Sequence, residues 1–175
     1  MRMSWPVLPV FLALLMVTIT SAAEPPYRLR IGDHAPDIEM VRLQGGQLRL
    51  SAVNRQALAV SFYSPYCEPC QRELPALARA IARVTHDTGA DVKLVVILVD
   101  DRPDVKLVAK LGSSVIWLLD DSQRAKAAFD PRTLPCTYIF GENDIVRRIN
   151  RGFGPQYEAR VDDWLRKLVS KQKRH

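Results

Sequence analysis

The sequence predicts an α/β fold in which a central mixed β-sheet is flanked by helices. Apolar runs of strand length alternate along the chain with stretches in which apolar residues recur at helical spacing. The chain of 175 residues, 47% hydrophobic and 25% charged, is also long enough for one domain with its own core. Because strands that alternate with helices favour crossover connections, we expect a mostly parallel sheet with helices on both faces.

Residues 1–23 are predicted to be an export signal. Arg2 is their only charged residue, residues 7–19 are almost entirely apolar, and Ser21-Ala22-Ala23 supplies the small residues of a signal-peptidase site. An uncleaved anchor is the alternative, because about 20 uncharged residues can span a bilayer. In both cases the domain is expected outside the cytosol, in the periplasm or tethered to the membrane and facing the periplasm, where disulfide chemistry is common.

The remaining chain is divided by composition. Residues 24–30, with Pro25-Pro26, form a predicted linker, residues 31–170 the folded domain and residues 171–175 a basic tail. The formal charge is +6, and cations near the C-terminus suit the end of a solvated helix. A nucleic-acid partner is not expected, since no aromatic residues interleave with these charges; weak attraction to an anionic membrane surface stays open.

The first strands are predicted from turn residues and apolar runs. Gly45-Gly46 separates two short segments, 38–43 and 47–50, as in a β-hairpin. Residues 57–63 form a continuous apolar run, which is typical of a strand covered on both faces.

Later elements continue the alternation. From Cys67 to about Val84 apolar residues recur at helical spacing, and Pro75 is expected to kink this helix. Ser122 is a plausible cap for a later short helix. The other predictions are strands at 91–99, 115–119, 136–140 and 145–149, and helices at 103–111, 122–129 and 155–169, the last with Val161, Trp164, Leu165 and Leu168 facing inward.

Two thiols lie where a buried strand passes into a helix. Cys67 and Cys70 are separated by Glu68-Pro69, a spacing that allows the pair to exchange electrons as dithiol and disulfide. Unpaired N–H groups and the helix dipole favour a thiolate at Cys67, which is therefore the predicted nucleophile. Cys70 lies one turn further in and is predicted to resolve the mixed disulfide. Pro69 is tolerated there because the first helical turn does not need its missing N–H.

Glu73 is the candidate proton acceptor for the pair. It falls three residues after Cys70 on the same helical ridge, so a half-buried carboxylate there can take the Cys70 proton during resolution. The alternative is a surface glutamate stabilised by the helix dipole. Glu68 is expected to be solvated.

Two thiols at this spacing can also bind a metal or form a structural disulfide. A structural zinc site needs four ligands, and Cys136 and the three histidines lack ligand spacing, so no metal is predicted. A copper-delivery or cytochrome-assembly module that uses the same thiols stays open, because two thiolates can hold Cu(I). A purely structural disulfide is disfavoured, since it would close too small a loop to stabilise much.

Three motifs resemble a known family. Residues 31–37, Ile-Gly-Asp-His-Ala-Pro-Asp, resemble a G-x-x-A-P-D opening, and residues 67–75 match C-x-P-C-x-x-E-x-P throughout. Leu134-Pro135 stands where a cis-proline precedes a strand. On these residues the chain resembles the thioredoxin superfamily, and more closely its exported TlpA/ResA/CcmG-like thiol-disulfide oxidoreductases.

The resemblance implies a thioredoxin fold with an N-terminal β-hairpin extension and an active site facing the cis-proline loop. It implies reduction of disulfides in exported proteins, in several members an apocytochrome c during cytochrome c biogenesis. Electrons would come from a membrane thiol transporter, and no cofactor is implied. Pro135 and Leu134 are assigned to substrate binding, together with Tyr66 and Pro69 beside Cys67.

The chain also departs from the family pattern. Ser61 occupies the strand position of the buried aspartate of thioredoxins, which makes Glu73 the better proton acceptor. Cys136 follows the proline and is interpreted as a small buried strand residue, or alternatively as a third thiol close to Cys67. A peroxiredoxin-like peroxidase is a further alternative, with Ser64 three residues before Cys67 but Val60 where that group has proline.

Overall fold

The structure is a computed structural model and describes residues 29–172. The predictions for the export signal, for residues 24–28 and for residues 173–175 lie outside the described residues. Leu29 is buried in the core, so packed structure already includes part of the predicted linker. Between residues 29 and 172, no helix is long and apolar enough to cross a bilayer.

The described residues form a seven-stranded sheet and four α-helices. The strands are β1 (Glu39–Arg42), β2 (Gln47–Arg49), β3 (Ala57–Tyr63), β4 (Val92–Leu98), β5 (Val115–Leu119), β6 (Cys136–Phe140) and β7 (Val146–Arg151). The helices are α1 (Glu68–Thr88), α2 (Val105–Leu111), α3 (Arg124–Phe129) and α4 (Tyr157–Gln172). Each predicted strand and helix is therefore present.

The sheet is mixed, in the order β2-β1-β5-β4-β3-β6-β7. The expectation of a mostly parallel sheet is wrong, because only β3–β4 and β4–β5 are parallel, whereas β1–β2, β1–β5, β3–β6 and β6–β7 are antiparallel. The connection from β5 to β6 contains α3, but it stays at the end of the sheet where the parallel strands β3, β4 and β5 finish. β6 therefore starts beside the last residues of β3 and runs antiparallel to it.

The core lies on both faces of the sheet. On one face, residues of α1 and α4 pack with Ala57, Ala59 and Tyr63 of β3; this is called the α1/α4 face. On the other, α3 packs with the alternating β3 residues Val60 and Phe62, and this is called the α3 face. Because strand side chains alternate, β3 is buried along its whole length, as its apolar run predicted.

Helix α1 begins directly after Cys67 and ends at Gly89. It extends four residues beyond the predicted end at Val84, and Gly89 stops it in a left-handed conformation with φ 66° while donating its N–H to the carbonyl of Thr85 at 2.9 Å. Pro75 lies within this helix and has no N–H to donate.

The inward face of α4 differs in part from the prediction. Its fully buried residues are Tyr157, Val161, Leu165 and Val169, whereas Trp164 and Leu168 are only partly buried at the edge of the core.

The predicted cap of α3 is wrong. Gln123 holds the N-cap position without a side-chain bond, and the two Asp120 carboxylate oxygens accept the N–H groups of Ala125 and Lys126 at 2.9 and 2.7 Å. Ser122 instead accepts a bond from Arg124 Nε. A carboxylate at the end of β5 thus satisfies the unpaired donors of the first turn.

Candidate active site

Cys67 lies at the N-terminus of α1, immediately after the loop that follows β3. It is the N-cap residue of that helix, and its Sγ accepts the backbone N–H of Cys70 at 3.2 Å. A donor and the positive end of the helix dipole therefore both face this sulfur. In the reduced pair, such an arrangement favours a thiolate at Cys67.

Cys67 and Cys70 form a disulfide, with their Cα atoms 5.2 Å apart. Cys67 is half-buried, whereas Cys70 is fully buried in the core of the α1/α4 face. An incoming substrate can therefore reach Cys67 but not Cys70. The thiol predicted to attack and the thiol predicted to resolve therefore differ in access.

Glu73 is fully buried, with 0% of its surface exposed, so the expectation of a half-buried carboxylate understated its enclosure. The alternative of a surface glutamate is excluded. Its Oε2 accepts a hydrogen bond from Ser61 Oγ at 3.2 Å, and its Oε1 accepts bonds from Thr137 Oγ1 at 2.5 Å and from the Tyr157 hydroxyl. Ser61, the residue at the strand position of the thioredoxin aspartate, therefore binds the Glu73 carboxylate.

Two opposing effects act on the acidity of Glu73. Burial raises the pKa of Glu73 above its usual 4.5, while the hydrogen bonds from Thr137, Tyr157 and Ser61 act in the opposite direction without cancelling the rise. Burial and the neighbouring carboxylate also raise the pKa of Tyr157, so its hydroxyl keeps its proton and remains a donor. The net result is a carboxyl group that binds its proton more tightly than a solvated glutamate does.

The loop before β6 lies at the same edge of the sheet as α1's N-terminus. The Leu134–Pro135 peptide bond is cis, as the resemblance implied. Cys136 pairs with Phe62 near the end of β3, which places Pro135 beside the strand end that leads to Cys67. Leu134 packs partly into the cores of both faces.

Cys136 is not brought together with the redox pair. It is a free, fully buried thiol in the core of the α3 face, where Phe62 and Tyr138 also lie, whereas Cys70 is in the core of the α1/α4 face. Burial raises the pKa of Cys136, which disfavours a thiolate there. Its position agrees with the interpretation as a packed strand residue.

The remaining predicted residues lie at the solvent-exposed surface around the Cys67–Cys70 pair. Tyr66 is 76% exposed, and its hydroxyl donates to the carboxylate of Asp101, a contact that no sequence pattern indicated. Pro69 is partly exposed between the cysteines. Glu68 is solvated, as expected, and forms an ion pair with Arg72 one turn along α1.

Two observations concern the residues of the alternative interpretations. Ser64 is buried, and its Oγ accepts the N–H of Tyr66, which is a local role in the loop. Within residues 29–172, no three Cys, His, Asp or Glu side chains are grouped so that they could hold a metal ion.

Comparison with known proteins gives one family. The sequence matches the AhpC/TSA family over residues 31–149. Thiol-disulfide oxidoreductase ResA of Geobacillus kaustophilus is 24% identical over 147 residues, which cover 83% of this chain and 84% of ResA. Thioredoxin-like protein YneN of Bacillus subtilis is 25% identical over 127 residues, covering 69% of this chain and 71% of YneN.

Solved structures share the fold. A protein assigned as thiol:disulfide interchange protein DsbE from Chlorobium tepidum superposes with a TM-score of 0.70 at 18% identity, covering 81% of this chain and 99% of that one. The thioredoxin domain of thiol-disulfide oxidoreductase BVU-2223 from Bacteroides vulgatus gives a TM-score of 0.60 at 17% identity, with 82% and 98% covered. The predicted thioredoxin fold is confirmed.

Proposed function

Because this chain belongs to the AhpC/TSA family, we propose that its thiol-disulfide oxidoreductase activity acts outside the cytosol, where it reduces disulfides of exported proteins such as an apocytochrome c. The observation that supports this most directly is the Cys67–Cys70 disulfide at the N-terminus of α1, with one sulfur accessible and the other buried. The export prediction for residues 1–23 supports the location.

The first step belongs to Cys67. In the reduced protein its thiolate attacks one sulfur of the substrate disulfide, forms a Cys67–substrate disulfide and releases the other substrate sulfur as a thiolate. The N–H of Cys70 and the helix dipole stabilise the attacking thiolate. Leu134 and Pro135, at the same edge of the sheet, are the proposed contact for the substrate backbone.

The second step belongs to Cys70 and Glu73. Cys70 loses its proton to the Glu73 carboxylate, and the resulting thiolate attacks Cys67 Sγ in the mixed disulfide. The Cys67–Cys70 bond forms, the Cys67–substrate bond breaks, and the substrate leaves as a second thiolate that takes up a proton. Two electrons have then passed from the pair to the substrate.

A further turnover needs an external reductant. The oxidised pair is restored to two thiols by a reduced dithiol protein, which supplies two electrons and becomes a disulfide itself. We propose a membrane thiol transporter for this role, in keeping with the proposed location. Tyr66, exposed beside Cys67, is a proposed contact for either partner.

The test is reduction of insulin by the prereduced protein. Cys67→Ser should abolish the reaction, and Cys70→Ser should trap the mixed disulfide, because the resolving thiol is missing. Cys136→Ala is the matched control and should keep the activity, since this thiol lies in the opposite core. Full activity in Cys67→Ser would refute the proposed nucleophile.

A further inference from the structure

Three hydroxyl groups surround the buried carboxylate behind the redox pair. Ser61 of β3, Thr137 of β6 and Tyr157 of α4 each donate to Glu73, and together they are called the hydroxyl cage. These residues lie on three elements that meet only in the folded chain. The inference drawn from them rests on the proposed function, since it concerns the proton acceptor of the second step.

The hydroxyl cage is matched to an ionised carboxylate. Tyr157 and Thr137 both donate to Oε1 and their hydroxyl oxygens are 3.1 Å apart, while Ser61 donates to Oε2. An ionised carboxylate only accepts hydrogen bonds and offers about four acceptor positions. Ser61 is the one donor to Oε2 among the described residues, which leaves that oxygen able to accept the Cys70 proton.

The charged form of Glu73 depends on these hydroxyls because no described cation bonds to it. From α1 the titratable neighbour is Cys70, one turn before it. From β6 the thiol of Cys136 acts across the sheet, and a charge there would oppose that of Glu73. From α4, the positive charge of Arg160 lowers the pKa of Tyr157 against the larger effects that raise it. On β3, the phenol of Tyr63 lies on the same face of the sheet as Ser61.

Docking of α4 against α1 holds Tyr157 in place. The next residue, Glu158, forms ion pairs with Arg79 and Arg83 of α1 at 2.7 and 2.5 Å. The Tyr157 ring also packs against Phe153, with 5.4 Å between ring centres. The ion pairs of Glu158 and the ring contact with Phe153 therefore fix the start of α4, where Tyr157 lies, beside α1.

We propose that Tyr157 is a positioning residue that, through its hydroxyl on Glu73, sets the pH range in which the Cys67–Cys70 pair reacts. Thr137 assists at the same oxygen. Without the Tyr157 hydroxyl, the buried carboxylate loses a donor to its charged form and ionises at higher pH. Cys70 then finds its proton acceptor only at higher pH, although the cysteines themselves are unchanged.

The test compares Tyr157→Phe with the wild type in two pH titrations. The first follows the rate at which the reduced protein reduces oxidised glutathione; the second follows the infrared carboxyl band of Glu73, identified by its loss in Glu73→Gln. Both midpoints should move upward by about one pH unit in Tyr157→Phe, the effect expected for losing a hydrogen bond to a charged group. The rate at high pH should stay within about twofold of the wild type.

Tyr138→Phe is the matched control. Tyr138 is also a buried tyrosine, but its hydroxyl donates to the Phe129 carbonyl at 2.7 Å on the α3 face. Its removal should destabilise the protein comparably without moving either midpoint. If Tyr157→Phe does not fold, Thr137→Val takes its place, and Thr137→Ser, which retains the hydroxyl, should restore the wild-type midpoints.

The outcomes separate this inference from the proposed function. A wild-type protein that reduces no disulfide at any pH refutes the proposed function, whereas the infrared comparison still tests the hydroxyl cage. Unchanged midpoints in both Tyr157→Phe and Thr137→Val overturn the inference, even if insulin reduction is normal. An equal shift in Tyr138→Phe overturns it as well, because the effect would then come from general loosening of the fold.

Discussion

At the scale of single residues, Glu73 is a fully buried carboxyl group that has three hydroxyl partners and no cation bonded to it among the described residues. Burying an isolated carboxylate is costly, so such groups either stay protonated or acquire strong donors. Both effects act on Glu73: burial raises its pKa, whereas the hydrogen bonds from three hydroxyls lower it. A group in this balance changes its protonation with small changes nearby, which suits a proton acceptor.

The raised pKa of Glu73 has a consequence for stability. The folded protein holds the Glu73 proton more tightly than the unfolded chain, so this stabilisation is complete below the usual pKa of 4.5 and is lost as pH rises through the folded-state value. Glu73→Gln lacks this titration. The melting temperature of the wild type relative to Glu73→Gln should therefore fall as pH rises above 4.5, as measured by thermal unfolding of the oxidised proteins.

Glu68→Gln is the control for that measurement. Glu68 is on the same helix, but it is solvent-exposed, so folding changes its surroundings little. Its melting-temperature difference from the wild type should vary less with pH than that of Glu73→Gln. A pH-independent difference for Glu73→Gln would contradict the raised pKa.

Site residues that are close together in the sequence could be predicted, whereas those that are far apart in the sequence could not. Cys67, Cys70 and Glu73 fall within two helical turns, so helix geometry alone places them together. Thr137 and Tyr157 reach Glu73 from 64 and 84 residues away, and hydroxyl residues at buried positions have no pattern of their own. Those contacts arise from tertiary packing, which periodicity does not describe.

At the scale of elements, α3 shows how a short helix depends on a single group. It has only six residues, and isolated helices of that length are not stable in water. Asp120 is 5% exposed, and its carboxylate accepts the N–H groups of two residues in the first turn of α3. Ala125 and Phe129 then bury its inner face against the sheet.

Asp120→Ala should therefore destabilise the protein by about 1 to 2 kcal/mol, because the buried N–H of Ala125 and the partly buried N–H of Lys126 lose their acceptor. Urea unfolding of the oxidised protein measures this difference. Ser122→Ala is the control and should cost less than about 0.5 kcal/mol, since Ser122 contacts only an exposed arginine side chain among the bonds described. Equal losses in the two variants would show that Asp120 is not the cap.

Strand bounds were easier to predict than helix ends. The predicted bounds of β3, β5 and β6 agree with the structure, because these strands are largely buried and polar or turn residues delimit their apolar runs. Helix ends depend on capping contacts, as at Gly89 of α1 and Asp120 before α3. A cap can come from a residue several positions away, which local rules for the N-cap residue do not include.

At the scale of the whole molecule, the order of the strands brings the site together. Parallel β3 and β4 end at the same edge, and β6 begins there because its connection from β5 stays on that side. The edge thus receives the start of α1, the cis Leu134–Pro135 bond and the loop after β4. The sequence pattern indicated the elements but not this connection, since a helix between two strands usually accompanies a parallel pair.

The same topology predicts how stability is distributed across the sheet. Strands β3, β4 and β6 are central or buried on both faces, whereas β2 has three residues, lies at an edge and is mostly exposed. Amide hydrogens in β3, β4 and β6 should therefore exchange only on global unfolding, and those of β2 through local opening. Native-state hydrogen exchange at increasing denaturant should show β2 exchanging at rates insensitive to low denaturant and the central strands converging on one global free energy. Protection of β2 equal to that of β3 would show instead that the hairpin unfolds with the core as a single unit.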